Sequence, residues 1–213
     1  MSQDAGPAFD WSARYRGGDT PWDHGRAHPE LERRLAVGEL EPPRRGESRA
    51  LVPGSGRGHD AVALARAGWR VTAIDSAPEV AAHASAALGG LGGRFELADA
   101  LEHRTREPYE LVFEHTFLCA LPPAARPRWA ALVERVLAPG GRLAVLVFPA
   151  GKELASGGPP WGFAAGDVAA LVGSRFRLLA DEIARARFES RQWPERWACF
   201  ERELRMPAKL AGS

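Results

Sequence analysis

One stretch constrains this chain more than any other: Ala50-Leu51-Val52-Pro53-Gly54-Ser55-Gly56-Arg57-Gly58-His59-Asp60. A short apolar run enters a loop with glycine at every second position. Residues 61–67 then read as a helix that Gly68 stops, and a second apolar run, residues 70–74, ends on Asp75. Strand, glycine loop, helix, strand and acid, in that order, form the opening half of a nucleotide-type site in an open parallel sheet. Gly54, Gly56 and Gly58 lack Cβ atoms, so the backbone can turn sharply and approach a ligand closely. Asp75 falls about 20 residues beyond the loop, where a strand-end carboxylate accepts hydrogen bonds from ribose hydroxyls. Glycine spacing narrows the ligand. Dinucleotide sites use G-x-G-x-x-G, with a pyrophosphate on the helix N-terminus. Here the order is G-x-G-x-G, without a Walker lysine, which favours a ligand with adenosine and no phosphate. S-adenosylmethionine is the expected one.

The rest of the chain continues the alternation. Residues 9–17 predict a short amphipathic helix bearing Phe9, Trp11 and Tyr15, followed by a turn-rich stretch over 17–25. Pro29 suits the first position of a helix over 30–37, which Gly38 ends. Residues 41–48 read as a polar connector. Ser76 is expected to cap a helix with Pro78 in its first turn, running through Val80, Ala84 and Leu88. A strand over 94–98 has Asp99 and Ala100 at its mouth, and another strand covers 109–114. Pro122-Pro123 opens a helix on which Trp129, Leu132, Val133, Val136 and Leu137 repeat at three and four. Residues 139–141 break it, a fifth strand spans 142–148, and a glycine- and proline-rich loop covers 149–166. A helix near 167–172 and two strands, 175–181 and 196–204, follow. The last two are joined through residues 190–195 as an antiparallel edge, with Trp193 and Trp197 on its core face. This alternation predicts a doubly wound α/β sheet, with ligand at the carboxyl ends of the strands.

Composition excludes more than it identifies. A chain of 213 residues is expected to form one large domain, with two small ones as the alternative. Its 28 basic and 27 acidic residues give no global case for nucleic acid or an acidic membrane surface as partner. Cys119 and Cys199 stand in no metal or redox spacing and read as buried free thiols. His24 and His28 lie four apart without a carboxylate to pair with, so no metal is expected. Residues 1–7 lack a signal-peptide pattern, and the longest apolar run, residues 143–148, is far too short to span a bilayer. A soluble, cytoplasmic monomer acting on a small-molecule acceptor is the expectation.

Three separated motifs resemble a known family. Trp11, Tyr15, Trp22-Asp23, Gly25-Arg26, then the glycine loop, then Phe113-Glu114-His115-Thr116-Phe117-Leu118-Cys119-Ala120-Leu121-Pro122-Pro123 with Arg126-Pro127 and Trp129, look like the thiopurine, thiol and halide methyltransferases. The resemblance covers roughly residues 9–160. It implies a class I methyltransferase: a single domain over 1–213 with a Rossmann-like, seven-stranded, mostly parallel sheet whose last strand is antiparallel, binding S-adenosylmethionine. By position, Gly54 with Ser55 and Gly56 would meet the cofactor's amino-acid end, Asp75 and Ser76 its ribose, and Asp99 and Ala100 its adenine. Glu114 and His115 fall at the fourth strand's end beside it. Trp11, Tyr15 and Trp22 would cover it, making residues 1–28 an N-terminal lid segment. Tyr15 stands where the halide and thiol branch has tryptophan. His115 stands where that branch has tyrosine and the thiopurine branch arginine, at the reacting end.

Other readings compete residue by residue. Trp11 and Tyr15 at helical spacing equally suit core packing, and Asp75 can cap the helix after it. His115 is either the catalytic group or a hydrogen-bonded structural histidine. Trp161 and Phe163 line an acceptor pocket or cover the sheet. The function expected is methyl transfer to a small soft nucleophile: a thiol, halide, thiocyanate or thiopurine. His115 would accept a thiol proton, and Arg57 or Arg26 would add positive potential. The rival functions are a nicotinamide-dependent oxidoreductase on a similar sheet, a methyltransferase with another small substrate, and a non-catalytic cofactor binder.

Overall fold

The computed structural model describes residues 9–204, so the expectation for residues 1–7 and the first part of the lid segment lie outside the described residues. Seven strands, β1 (Arg49–Pro53), β2 (Arg70–Asp75), β3 (Arg94–Leu97), β4 (Tyr109–His115), β5 (Leu137–Val147), β6 (Phe176–Ile183) and β7 (Arg196–Arg202), form one sheet. Their order is β3-β2-β1-β4-β5-β7-β6. The first five strands are parallel to one another, and β7 runs antiparallel to both β5 and β6. The expected seven-stranded sheet with an antiparallel last strand is therefore present. One detail differs: β7 inserts between β5 and β6, so the edge strand is β6.

Alternation along each strand divides the core into two layers, because successive side chains point to opposite faces. Leu51, Val112, Leu143, Val145, Val147, Ala198 and Phe200 face one side. There they meet α5 (Arg126–Val136) through Trp129, Leu132, Val133 and Val136, and α6 (Ala165–Val172) through Val168. Ala50, Val52, Val71, Leu111, Phe113, Ala144, Leu146 and Trp197 face the other. These pack on Leu31 of α2 (Pro29–Ala36), Leu64 of α3 (His59–Arg66) and Leu88 of α4 (Pro78–Gly89). A short helix, α1 (Trp11–Gly17), stands apart from both layers and buries no residue fully.

Several local expectations are corrected. Ser76 is exposed and does not cap α4. The N-cap is Ala77, and Asp75 Oδ1 accepts its backbone N–H at 2.9 Å. Pairing along β5 begins at Leu137, opposite Tyr109, ahead of Pro139-Gly140-Gly141, with a register shift absorbing the turn. Strand β6 runs on to Ile183, so the connection to β7 covers residues 184–195 and is no tight turn. Trp193 is exposed, whereas Trp197 is buried.

Candidate active site

At the carboxyl end of β1 the backbone turns through Gly54, Gly56 and Gly58 with φ of +60°, +53° and +84°. Only glycine adopts this left-handed region without penalty. The Gly56 N–H donates to Asp75 Oδ2 at 2.8 Å, so Asp75 braces the loop as well as starting α4. Burial raises the Asp75 carboxyl above its ordinary value, against the pull of the N–H groups of Ala77 and Gly56. Each oxygen keeps a further lone pair, which leaves room for ribose hydroxyls. Ser55 Oγ lies buried in the same loop without a partner. Such a group costs free energy until something bonds it, and the polar end of a nucleoside-linked amino acid would do so. The loop therefore fits the expected cofactor. The space at the glycines is not simply left for ligand, however. A Cβ on Gly54 would overlap the Phe117 ring, and one on Gly56 would sit 2.9 Å from the Tyr15 hydroxyl.

Tyr15 belongs to an aromatic cap. Trp22 Nε1 donates to its hydroxyl at 3.1 Å, and the Trp22 ring meets Tyr15 and Trp11 edge-on at 5.7 and 5.3 Å. All three are only partly buried, which separates them from core aromatics such as Trp129. Burial of the phenol pushes Tyr15 up to about 12. Two latches hold the cap. Asp23 accepts from Arg57 Nε at 2.7 Å and lies 3.1 Å from His59 Nε2; Glu79 accepts from Ser12 Oγ and Arg16, both at 2.8 Å. Arg57, expected to add positive potential, is thus paired. Arg26 is exposed.

Asp99 and Ala100 lie at the mouth of β3. Asp99 Oδ1 accepts from Leu101 N at 2.9 Å, starting a helical turn, and Oδ2 lies 3.4 Å from Arg128. Ala100 is buried beneath it.

The opposite wall has a different make-up. His115, last in β4, has Nδ1 2.7 Å from Asp60 Oδ2 and Nε2 2.9 Å from Arg191. An arginine cannot accept, so Nε2 accepts from Arg191 and Nδ1 carries the proton toward Asp60. Burial and the Arg191 charge push the imidazole down to about 4, against the attraction of Asp60. The ring is therefore neutral at physiological pH, with both nitrogens engaged. Asp60 is anchored from its other side by His28 N at 2.7 Å. Arg191 also donates to Glu195 Oε1, and its guanidinium lies 4.2 Å from the Phe148 ring and 5.6 Å from Phe188. Glu195 bridges to His28 Nε2, 3.1 Å away. The carboxylate pairing absent around His28 in sequence is thus supplied from 167 residues away.

His28, His115 and Glu195 bring potential ligand atoms within 4.8 Å of one another. Two observations argue against an ion there. Arg191 already occupies the cluster as its cation. His28 Nδ1 accepts from Glu30 N at 3.1 Å, which puts the proton on Nε2 and removes the lone pair a metal would need.

Glu114 turns inward. It is fully buried; Oε1 accepts from Phe117 N at 2.9 Å and Leu118 N at 2.7 Å, and Oε2 from Trp129 Nε1 at 3.0 Å. Burial outweighs these bonds and pushes its carboxyl up to about 7. Its side chain staples the turn after β4, where Thr116 takes a left-handed φ of +64°. Cys119 is buried, its thiol pushed up to about 12 by desolvation. Phe163 joins the sheet core, whereas Trp161 stays at its margin with its N–H on Cys119 O at 2.8 Å. Arg191 and Glu195 were not singled out in the sequence. Their only signal was an acidic and a basic residue four apart beside aromatics, in a connection read as an edge hairpin.

Known proteins resemble this chain over most of its length. Residues 7–198 match the family profile described as thiopurine S-methyltransferase. A probable thiol methyltransferase 2 and a thiocyanate methyltransferase 1, both from Arabidopsis thaliana, are each 34% identical over 155 residues, 71% of this chain. The chain spans 66% and 65% of those relatives' own lengths. Among solved structures, the 1,6-didemethyltoxoflavin-N1-methyltransferase of Burkholderia thailandensis superimposes with a TM-score of 0.69 at 20% identity, covering 92% of this chain and 86% of that one. At that identity the likeness concerns the fold. The profile match spans nearly the whole described chain, motifs and wall together, and the chain belongs to the thiopurine S-methyltransferase family.

Proposed function

We propose that this chain is an S-adenosylmethionine-dependent methyltransferase acting on a small soft nucleophile: a thiol, thiocyanate, halide or thiopurine. One observation carries the reading. Asp60, two residues beyond the glycine loop, contacts His115 at the end of β4, and His115 in turn contacts Arg191, which is bonded to Glu195. The family, the thiol and thiocyanate methyltransferase relatives and a fold neighbour solved with bound S-adenosylhomocysteine support it.

When bound, S-adenosylmethionine supplies an activated methyl group on a sulfonium with a neutral leaving group. The chain's task is alignment and water exclusion. Gly54, Ser55 and Gly56 would hold the amino-acid end, Asp75 the ribose, and Asp99 with Ala100 the adenine edge. Trp11, Tyr15 and Trp22 close over the loop, and electron-rich ring faces near a sulfonium attract it by about 0.5–2 kcal/mol. Arg191 has donors beyond those bonded to Glu195 and His115, and these would hydrogen-bond an anionic acceptor or the thiolate of a neutral thiol, whose ordinary pKa is near 8.5. His115 enters as a positioning residue. Its neutral ring orients the guanidinium, whereas a general base would first have to release Arg191. Two buried free cysteines support the reducing cytoplasm as its place of action. Among the described residues no helix is long and apolar enough to cross a membrane.

A headspace mass-spectrometric assay with isotopically labelled cofactor tests this across hydrosulfide, small thiols, thiocyanate, iodide and a thiopurine. Labelled methyl product from at least one acceptor is expected. A protein that binds S-adenosylhomocysteine yet methylates none of them refutes the acceptor class; one that binds NADH instead favours the oxidoreductase.

A further inference from the structure

The turn that carries Trp22 holds a polar atom with nothing to bond. His24 Nε2 is buried and has no hydrogen-bond partner. Its ring is stacked on Phe188, centroids 3.7 Å apart at 21°. Phe188 is buried in turn, lies edge-on to His28 at 5.1 Å, and sits 5.6 Å from the Arg191 guanidinium. His24 therefore stands at the border of the two halves of the site. Its chain neighbours Trp22 and Asp23 build the cap over the glycine loop, while its stacking partner belongs to the Arg191 wall.

Packing alone does not account for a histidine here. A phenylalanine would keep the stack and remove an orphaned buried nitrogen, which costs stability while it stays unpaired. A nitrogen left unpaired between the cap and the Arg191 wall has a use only when something else enters. We propose that His24 is an acceptor-binding residue, its Nε2 hydrogen-bonding the incoming nucleophile, and that with Arg191 it selects small anionic acceptors. Burial and the Arg191 charge hold the His24 imidazole below its ordinary range, so the ring is neutral at physiological pH. With its proton on Nε2 it donates to an anion without adding a second full charge beside Arg191. The inference rests on the methyltransferase reading above and adds to it a residue and a preference among acceptors.

The test uses thiocyanate as the probe, titrated calorimetrically into the protein with and without saturating S-adenosylhomocysteine. Wild type is compared with His24→Phe, which keeps the stack, and His24→Gln, whose amide N–H reaches about as far as Nε2. Loss of a hydrogen bond to an anion should weaken thiocyanate about tenfold in the Phe variant. S-adenosylhomocysteine affinity should stay within about twofold, and melting temperature should hold or rise, since an unpaired buried polar atom is gone. The Gln variant should recover part of the loss. In turnover the Phe variant should raise acceptor KM far more than it lowers kcat. Equal thiocyanate affinity in wild type and His24→Phe overturns the proposal, as does a parallel loss of both ligands or a wild-type protein that binds no thiocyanate. Failure of the methyltransferase reading shows separately, as no binding of S-adenosylhomocysteine by wild type. The titration into the free protein then still decides whether His24 serves an anion.

Discussion

The two halves of the proposed site are built from opposite materials. The cofactor half is mostly backbone. Its donors are loop N–H groups, its one fixed acid is braced by Gly56 and Ala77, and its cover is a cap that buries no residue of α1 fully. The acceptor wall is side chain throughout: Asp60, His115, Arg191, Glu195 and His28 in one continuous chain of polar contacts. Charged groups withdrawn from water must be mutually satisfied. The wall therefore depends on every member, whereas the cap is held at its margin by the Asp23–Arg57 and Arg16–Glu79 ion pairs. A fixed wall facing a latched cap would suit a reaction that needs alignment more than chemical assistance.

The largest effect should come from breaking the wall at Glu195. Glu195→Ala leaves the Arg191 guanidinium buried without its carboxylate, and removing one partner of such a pair costs about 3–5 kcal/mol. Both side chains are at most 5% exposed, so solvent cannot replace the lost partner. Urea unfolding should show a loss of this size. A loss below about 1 kcal/mol would mean that the wall behaves like a surface ion pair, and the contrast with the loop would collapse.

The His115 ring sharpens the contrast through pH. Its folded pKa, about 4, lies below the ordinary histidine value of about 6.5. Between those values the unfolded chain binds more protons than the native one, so stability rises with pH over that window and levels off above it. The His115 contribution is on the order of 3 kcal/mol. Glu114 opposes it: its folded pKa, about 7, lies above the unfolded value, so its contribution falls as pH rises from about 4.5 to 7. Because the two slopes offset each other over much of the same range, the ring should be followed directly. Its NMR resonances should stay flat from pH 5.5 to 8, to about the precision of a group with so low a pKa. A midpoint near 6.5 would free Nε2 from Arg191 and return His115 to the role of proton acceptor.

Asp75→Ala probes the other half. Losing a charge-assisted hydrogen bond should weaken S-adenosylhomocysteine by about 1.5–3 kcal/mol. Part of any stability loss belongs to the loop, because the Gly56 and Ala77 N–H groups lose their acceptor. Unchanged calorimetric affinity would reduce Asp75 to a structural brace.

This division also explains what was legible before the fold. The cofactor half is written in short-range spacing: glycines two apart, an acid at the next strand's end, aromatics at helical spacing. Each fixes local geometry, and local geometry survives into the fold. The seven-stranded sheet and its antiparallel last strand were accessible through alternation and resemblance, but the insertion of β7 between β5 and β6 was not. The wall was not, because Glu195 meets His28 across 167 residues and Arg191 meets His115 across 76. No spacing encodes such a meeting. His115 alone was visible, from its place at a strand end; its contacts with Asp60 and Arg191, which engage both ring nitrogens, were not. Glu114 is a like case: its place at the strand end was legible, but its bond to Trp129, 15 residues on, was not.

The smallest expected effect concerns Ser76, where sequence spacing pointed to a cap. Serine followed by Pro78 has the pattern of a helix N-cap, and loss of a working cap costs about 0.5–2 kcal/mol. In the structure Asp75 already accepts from Ala77 N, and the Ser76 side chain is exposed. Ser76→Ala should therefore change unfolding free energy by no more than about 0.5 kcal/mol, as for other surface positions. If Ser76 also reaches the ribose, as the motif implies, the same variant should weaken S-adenosylhomocysteine without moving the melting temperature. A stability loss above about 1 kcal/mol with unchanged affinity would restore the cap and shift Asp75 toward the ligand alone. That result would make the cofactor half less dependent on one carboxylate than its geometry indicates.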